Sequence, residues 1–335
     1  MVLCNIKGSL PGTTKSLIFE GAIDVCIDGT TVILGPNSTL KSITACCLAI
    51  NSVRGDYGSP LRYRCILETS CEERIFDDFL WIGPERVIAP YLGVLQKAAD
   101  TLRENNLPGY EELEYLYPWV RLLQESASVG YGLEYVVRIS EDCKRRVEEL
   151  LEVSWDFDIM PLDLVVVKDR VEFVDKRTHA RLNPFLISTG IAATIVYRVL
   201  LVATINAFVN RDRRLLVVVE EPEEQAHPYA QFALGYLLGY IPYRLARDGA
   251  KLSTLVTTHS EYVLTGIFVG AKDGGATINN RPRVYVMKPS VEGQGIKIYA
   301  KAWEPGESIP GFFDESLKML SERFEAYESL WAGTE

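Results

Sequence analysis

The feature that most constrains this chain is a run of five apolar residues, Leu215–Val219, that ends directly in Glu220-Glu221-Pro222-Glu223. An uninterrupted run of leucine and valine is typical of a strand buried on both faces in the centre of a parallel sheet. Open sheets of this kind bind ligands at the carboxyl ends of their strands. The carboxylates of Glu220 and Glu221 are therefore placed where a metal ion or a reacting water could be held. Taken alone, the segment also fits an acidic turn after a core strand.

A second strand end, near the N-terminus, has the residue types of a phosphate-binding loop. Thr31–Leu34 is followed by Gly35-Pro36-Asn37-Ser38-Thr39-Leu40-Lys41-Ser42 and then by an apolar stretch, residues 43–50, that favours a helix. This is the order of a P-loop, in which backbone N–H groups at a helix N-terminus bind phosphate. We expect Lys41 to reach the β- and γ-phosphates and the Ser42 hydroxyl to be a ligand of Mg²⁺.

The loop departs from this pattern at Leu40, where glycine is expected immediately before the lysine, and Ser38 stands at another position where glycine is common. Leucine keeps the N–H that would donate to a phosphate oxygen. It lacks the small size and the free φ that let glycine wrap tightly around an anion. An ordinary turn is the alternative for this segment on its own.

A third apolar strand, Leu255–Thr258, ends in His259, one of only three histidines in the chain. A neutral imidazole at a strand end can hydrogen-bond a γ-phosphate oxygen and respond to its loss. A surface histidine with no such role is the alternative. The order of phosphate loop, acidic strand end and histidine strand end along one chain favours the functional interpretation.

These segments together resemble the ABC-type P-loop ATPases, in particular the AAA ATPases of the OLD (overcoming lysogenisation defect) and RecF-like group. Members of that group have Glu-Glu-Pro-Glu followed by His-Pro after the Walker B strand, matched here by Glu220–Glu223 and His227-Pro228. Their switch strand ends in Thr-His-Ser, matched by Thr258-His259-Ser260. Ser188-Thr189-Gly190, before a long apolar helix, resembles their degenerate signature segment.

The resemblance implies a cofactor, a reaction and an oligomer. ATP with Mg²⁺ would bind across Gly35–Ser42, with Glu220 near the metal through a water. Glu221 would polarise the attacking water, and His259 would contact the γ-phosphate. Ser188, Thr189 and Gly190 would touch the ATP of a second subunit in a head-to-tail homodimer that forms on ATP binding.

The function implied is an ATP-dependent molecular switch that hydrolyses slowly and acts in DNA repair or defence, with DNA or a protein as a client. Leu40 keeps open the alternative of a degenerate nucleotide-binding scaffold or protein-interaction module without significant hydrolysis. A metal-dependent nuclease built on the acidic cluster is disfavoured because clustered Asp and His ligands are missing elsewhere in the sequence.

The chain is expected to be one α/β domain over residues 1–335, a P-loop NTPase like an ABC-ATPase head. Its mostly parallel central sheet and an antiparallel β layer come from residues 1–89 and 154–335, and residues 90–153 form an inserted helical lobe. We expect an antiparallel hairpin at residues 164–174, a last strand at residues 283–287 and a terminal helix at residues 315–330. The C-terminal region lacks the Asp-x-Asp of the Toprim nuclease domain that full-length OLD proteins append.

The composition also bears on the protein's partners and location. With a net charge of −10, the chain lacks the surplus of basic residues that is typical of a general nucleic-acid binder, although local basic clusters exist at residues 144–146 and 211–214. The seven cysteines form no Cys-x-x-Cys pair, and their odd number fits no secreted disulfide framework, so a reducing, cytoplasmic location is expected. A disulfide stays open as the alternative if the source is a hyperthermophile. Residues 190–209 are about as long as a membrane span, but Arg198 and Asn206 favour a buried helix packed on the sheet, so no membrane partner is expected.

Overall fold

The computed structural model describes residues 2–10, 17–36, 40–54, 68–83, 147, 149, 162–167, 170–175, 178–182, 191–292 and 295–303. The strands in these ranges are β1 (Val2–Leu10), β2 (Leu17–Ile27), β3 (Thr30–Leu34), β4 (Glu68–Cys71), β5 (Asp78–Ile82), β6 (Leu162–Val167), β7 (Arg170–Asp175), β8 (Arg181–Leu182), β9 (Arg214–Glu220), β10 (Lys251–Thr258), β11 (Arg283–Glu292) and β12 (Gly295–Trp303). The helices whose ends are described are α1 (Lys41–Ser52), α2 (Ile191–Val209), α3 (Pro228–Arg247) and α4 (Glu261–Gly274).

Nine strands form one sheet in the order β4-β1-β2-β12-β11-β3-β10-β9-β5. Strands β11, β3, β10, β9 and β5 are parallel to one another, which confirms the expected α/β fold with a mostly parallel centre. The antiparallel strands β1, β2 and β4 are hydrogen-bonded into the same sheet through β12. A second, three-stranded antiparallel sheet, β6-β7-β8, contains the expected hairpin.

Side-chain alternation along the parallel strands divides the core into two layers. On β9, Leu215, Val217 and Val219 belong to one apolar cluster with residues of α2, α3 and α4. Leu216 and Val218 belong to the other cluster, with Ala45–Ala49 of α1. Because successive side chains of a strand point to opposite faces, α1 covers one face of the sheet and the other three helices cover the opposite face.

Helices α3 and α4 pack at very short distance because each presents glycine to the other. A Cβ on Gly235 would overlap the backbone carbonyl of Val263, and a Cβ on Gly239 would overlap that of Ile267. Gly266 and Gly270 make the reciprocal approach to the backbone of α3. The absence of side chains at these positions sets the separation of two helices that begin just beyond the carboxyl ends of β9 and β10.

The structure differs from the sequence expectations at the end of the chain. The strand expected at residues 283–287 extends to Glu292, and a further strand, β12, pairs with it as a hairpin. The alternation Ile296-Lys297-Ile298 after a Gly-Gln-Gly turn is a strand signal that could have predicted β12. The expected terminal helix lies outside the described residues. Of the expected helical lobe, the structure describes Val147 and Glu149, which are helical, with Val147 buried in the core.

The cysteines also differ from expectation, because Cys4 of β1 and Cys71 of β4 form a disulfide between directly paired positions. Sequence spacing could not show this pair, since 67 residues separate the two cysteines and the sheet brings them together. Cys26, Cys46 and Cys47 are buried thiols. The structure thus contains a disulfide, which the sequence had left open as the alternative to reduced cysteines.

Helix α2 covers the long apolar segment, and its Val196, Leu200 and Ala203 are fully buried against the sheet and α3. The expectation of a buried helix packed on the sheet is confirmed. Within the described residues, none of the helices combines the length and the apolar character that crossing a membrane requires.

Candidate functional site

Three strand ends meet at one edge of the sheet because of strand order and register. β10 lies between β3 and β9, and it is parallel to both. Thr258 pairs with Leu34, and Thr257 pairs with Glu220. The residues that follow, Gly35, His259 and Glu221, therefore leave the sheet side by side. The sequence had predicted each of these strand ends separately, and the topology brings them together.

The phosphate-loop segment ends at Leu40, which is the N-cap of α1 with φ 62° and ψ 16°. This is the left-handed region, which costs a residue with a Cβ about 1–2 kcal/mol. The geometry is therefore the one that favours glycine, and leucine occupies it. The first turn of α1 carries no acidic residue, so no side chain of that turn opposes the positive end of the helix dipole.

Lys41, the first residue of α1, is 4% exposed and turns its ammonium toward the carboxylates. Its Nζ donates a hydrogen bond to the carbonyl oxygen of Pro36 at 2.9 Å and lies 3.7 Å from Oε1 of Glu221. Burial lowers the pKa of Lys41 below its ordinary value, and the negative charges of Glu221, Glu223 and Glu220 oppose that shift. The lysine is thus a desolvated cation held at the acidic strand end.

The acidic strand end is shaped by a backbone reversal at Glu221, which has φ 44°. Its N–H donates to the carbonyl oxygen of Thr257 at 2.8 Å and lies 3.3 Å from the Thr257 hydroxyl, so β10 holds the reversal in place. Glu220, one residue earlier, is 1% exposed. Strand alternation gives Glu220 the same face as Leu216 and Val218, which is the face covered by α1.

His259 is held by Glu223, which lies in the Glu-Glu-Pro-Glu segment at the end of β9. Oε1 of Glu223 accepts the backbone N–H of His259 at 2.7 Å and lies 3.1 Å from Nδ1 of the same residue. Oε1 of Glu221 is 4.0 Å from that nitrogen. The signal available in the sequence was the third carboxylate of Glu-Glu-Pro-Glu, but nothing in the sequence showed that it faces β10 and not α3.

His227, which precedes Pro228, is the N-cap of α3. Its Nδ1 accepts a hydrogen bond from the N–H of Tyr229 at 3.3 Å, and Pro228 follows at the first helical position. At α4 the cap is Ser260, whose hydroxyl accepts the N–H of Val263 and donates to Oε1 of Gln231 at 2.6 Å. Both helices that follow the site are therefore anchored at their first turns.

A cavity of about 500 Å³ opens beside these groups. Its lining includes Glu221, Glu223, His259, Ser260 and Tyr262. Carboxylates, an imidazole and an aromatic ring thus share one opening at the edge of the sheet where parallel α/β proteins bind ligands.

The described part of the predicted site consists of Gly35, Pro36, Leu40, Lys41, Ser42, Glu220, Glu221 and His259. The middle of the phosphate loop, residues 37–39, and the predicted signature, Ser188–Gly190, lie outside the described residues.

The residue types present fit a nucleotide with magnesium. The buried ammonium of Lys41 and the N-terminus of α1, whose first turn has no acidic residue, can bind an anion. The carboxylates of Glu220 and Glu221 on the other side of the site would repel an anion and attract a metal ion. Within the described residues, no group of three or more His, Cys, Asp or Glu side chains could hold a metal by itself. Mg²⁺ is commonly bound by one or two protein ligands together with substrate phosphates, so Ser42 and Glu220 fit a metal that arrives with a nucleotide.

Neither a protein-family model nor a curated protein matches the chain. Among solved structures, the chain is similar to a nucleotide-free ATP-binding cassette from an ABC transporter, with 12% identity over 91% of this chain and 92% of that chain and a TM-score of 0.34. It is similar to the dimeric cassette of a bacterial ABC transporter, with 11% identity over 91% and 99% and a TM-score of 0.39. A third likeness is to an Smc head bound to the C-winged helix domain of ScpA, with 8% identity over 90% and 97% and a TM-score of 0.43. What the site can do follows from the contacts within this chain.

Proposed function

We propose that this protein is an ATP-binding molecular switch that hydrolyses ATP slowly with Mg²⁺. The observation that carries the proposal is the convergence of Lys41, Glu221 and His259 at the N-terminus of α1, with Lys41 Nζ 3.7 Å and His259 Nδ1 4.0 Å from the same oxygen of Glu221. The ammonium, the carboxylate and the imidazole are the groups that phosphoryl transfer needs for charge neutralisation, water positioning and phosphate contact.

Each group has a distinct task in this proposal. The N–H groups of Leu40, Lys41 and Ser42 bind phosphate oxygens, and the Lys41 ammonium moves from Glu221 to the phosphates. Release from Lys41 leaves the Glu221 carboxylate able to accept a hydrogen bond from the attacking water. Ser42 would hold Mg²⁺ directly and Glu220 would hold it through a water, and the ion would supply positive charge to the phosphate oxygens.

The finer assignment is to the OLD and RecF-like group of ABC-type AAA ATPases, on the motifs Glu220–Glu223, His227-Pro228 and Thr258–Ser260. Under it, Ser188–Gly190 contacts the nucleotide of a second subunit, and ATP binding drives a head-to-tail homodimer. DNA repair or defence is the proposed setting, with DNA or a protein as the client and the cytoplasm as the location.

One observation favours a second candidate, a nucleotide-binding scaffold without significant hydrolysis. Leu40 stands at φ 62°, where glycine would let the loop close without strain. Weaker phosphate binding by the loop would limit hydrolysis, but it would not prevent the domain from acting in protein interactions. The two candidates differ in what happens after ATP binds.

The test is ATP binding and hydrolysis by the wild type, Glu221→Gln and Lys41→Ala. We expect Glu221→Gln to lower kcat by about 100-fold or more, the range for losing a group that directs proton transfer. The variant should keep its affinity for ATP and accumulate an ATP-bound dimer, measured by light scattering after size-exclusion chromatography. Lys41→Ala removes the ammonium that contacts the phosphates, so it should weaken ATP binding in calorimetry by at least about tenfold. This corresponds to about 1.4 kcal/mol of binding free energy.

Lys251→Ala is the matched control, because Lys251 is exposed at the opposite end of β10 from His259. It should bind and hydrolyse ATP like the wild type. A wild-type protein that fails to bind ATP at millimolar concentration would contradict both candidates. Equal turnover by the wild type and Glu221→Gln would favour the scaffold.

A further inference from the structure

The carboxylate of Glu223 makes two contacts to one residue on another strand end. Its Oε1 accepts the backbone N–H of His259 at 2.7 Å and lies 3.1 Å from the Nδ1 of the His259 ring. The Glu223 side chain is 4% exposed, whereas the His259 side chain is 42% exposed. The buried group is therefore the fixed one, and the exposed ring is oriented by it.

The two contacts together determine which edge of the ring faces Glu223. A half-turn of the ring about its bond to Cβ would exchange Nδ1 with a ring carbon at this position. Only nitrogen can donate a hydrogen bond to the carboxylate oxygen, so the orientation with Nδ1 toward Glu223 is favoured. The distance of 4.0 Å from Nδ1 to Glu221 Oε1 is too long for a hydrogen bond, so Glu223 and not Glu221 orients the ring.

The contact also favours one tautomer. Of the two neutral tautomers, a carboxylate oxygen 3.1 Å from Nδ1 favours the one with the proton on Nδ1 and none on Nε2. Such a second contact sets both the proton position and the direction in which the other nitrogen points.

We infer that Glu223 is a positioning residue that holds His259 in the Nδ1-protonated form with its Nε2 edge toward the nucleotide and the attacking water. The inference rests on the proposed function, since it assigns the group that prepares His259 for contact with ATP. It explains why the strand end carries a third carboxylate, Glu223, which binds neither Lys41 nor the first turn of α3 in the contacts that the structure describes.

The test combines histidine ¹⁵N NMR of the full-length protein with steady-state kinetics. Because the chain has three histidines, labelling histidine alone gives few signals, and the variants His179→Gln and His227→Gln assign them. We expect the wild-type spectrum to show His259 with Nδ1 protonated. Glu223→Met, which fills a similar space without an oxygen acceptor, should give a mixture of both tautomers. Its kcat should fall about tenfold to a hundredfold, the usual cost of losing a group that orients a functional histidine, with the KM for ATP within about threefold.

Two further variants separate positioning from a general loss of charge. Glu223→Gln keeps an oxygen acceptor of the same length, so it should retain the Nδ1-protonated form and most of the kcat. Asp212→Asn removes an exposed carboxylate at the opposite end of β9 from Glu220 and should change neither readout. A loss of kcat in Glu223→Gln as large as that in Glu223→Met would overturn the positioning role, because Gln keeps the oxygen acceptor and Met does not.

Failure of the inference differs from failure of the proposed function. A wild type that hydrolyses ATP while His259 is protonated on Nε2, or while Glu223→Met keeps full kcat, overturns the inference alone. A wild type that does not hydrolyse ATP overturns the proposed function, and the inference falls with it. If Glu223→Met does not fold, the inference is tested by the tautomer of His259 in the wild-type spectrum and by the kcat of Glu223→Gln.

Discussion

The site has two sides, the phosphate-loop segment Gly35–Ser42 and the acidic turn Glu220–Glu223, and they differ in the contacts that hold a residue with positive φ. Both contain a residue with a Cβ in the left-handed region, Leu40 at φ 62° and Glu221 at φ 44°. Leu40 lies at a helix start and has no side-chain capping bond. Glu221 is tied to β10 by its own N–H, and Glu223 ties the same turn to His259.

The two sides differ in the polar contacts that hold their left-handed residues. Strain in a left-handed residue persists only when surrounding contacts hold it, and such residues cluster at functional sites. The acidic turn has those contacts from the neighbouring strand. The described part of the phosphate loop has a backbone bond to β10, from the N–H of Gly35 to the carbonyl oxygen of Thr258 at 3.4 Å, and Lys41 bonds Pro36 and approaches Glu221. Both sides are thus attached to β10, and Lys41 links one side to the other.

The largest effect is expected from separating α3 and α4, the helices that follow the acidic turn and His259. Gly239→Ala would drive a Cβ into the backbone carbonyl of Ile267, which cannot move without shifting α4. We expect the free energy of unfolding to fall by about 3 kcal/mol or more, at the upper end of overpacking costs. Urea denaturation followed by circular dichroism measures it.

Gly249→Ala is the control for the effect of an added methyl group. Gly249 has φ 78° but no atom within 4 Å of the added Cβ, so only the backbone cost of about 1 kcal/mol is expected. If Gly239→Ala costs no more than Gly249→Ala, α3 and α4 are not in close contact at Gly239 and Ile267.

The next effect concerns the cation that couples the two sides. Because burial lowers the pKa of Lys41 below 10.5, ATP affinity should decline with rising pH earlier than it would for an ordinary lysine. Stability should change in the opposite direction. Between the folded and unfolded pKa values the unfolded chain binds more protons, so the contribution of Lys41 to the free energy of unfolding rises with pH.

Calorimetric ATP titrations across alkaline pH, run in parallel on Lys41→Arg, test this coupling. Arginine stays charged throughout, so the variant should lose the pH dependence while its affinity at neutral pH reports the cost of the larger head group. A wild-type affinity that is constant up to the pKa of a free lysine would show that Lys41 is not the desolvated cation described here.

The smallest effect compares the two left-handed residues directly. Relative to alanine at the same position, glycine should raise the free energy of unfolding by about 1 kcal/mol at both Leu40 and Glu221, since it removes the cost of a Cβ at positive φ. Thermal and chemical denaturation of the four variants measure the two differences. Leu40→Gly should also bind ATP more tightly than Leu40→Ala.

If glycine raises the free energy of unfolding relative to alanine at position 221 but not at position 40, the result would contradict the positive φ of Leu40. A gain at both positions, with tighter ATP binding only for Leu40→Gly, would show that the loop side limits nucleotide affinity. Equal ATP affinities for Leu40→Gly and Leu40→Ala would instead show that the backbone of the loop does not limit binding.

Much of the fold could be predicted because its elements have strong local signals. Helix α3 begins and ends where Pro228 and Gly249 indicate, and strands β3, β9 and β10 coincide with short apolar runs ending in polar residues. Pairing between distant segments could not be predicted in this way. The Cys4–Cys71 disulfide and the parallel pairing of β12 with β2 both join segments far apart in the sequence, whereas β12 itself had a local strand signal.

The sequence by itself determined which residues carry chemistry at the strand ends, since the types and spacing of Lys41, Glu220, Glu221 and His259 are local properties. Only the tertiary structure decided how they act on one another. Strand order places β10 between β3 and β9, and this brings Lys41 to Glu221 and turns Glu223 to His259. The physical reason is that a side chain's direction at a strand end depends on register and on the backbone reversal that follows, and neighbouring strands fix both.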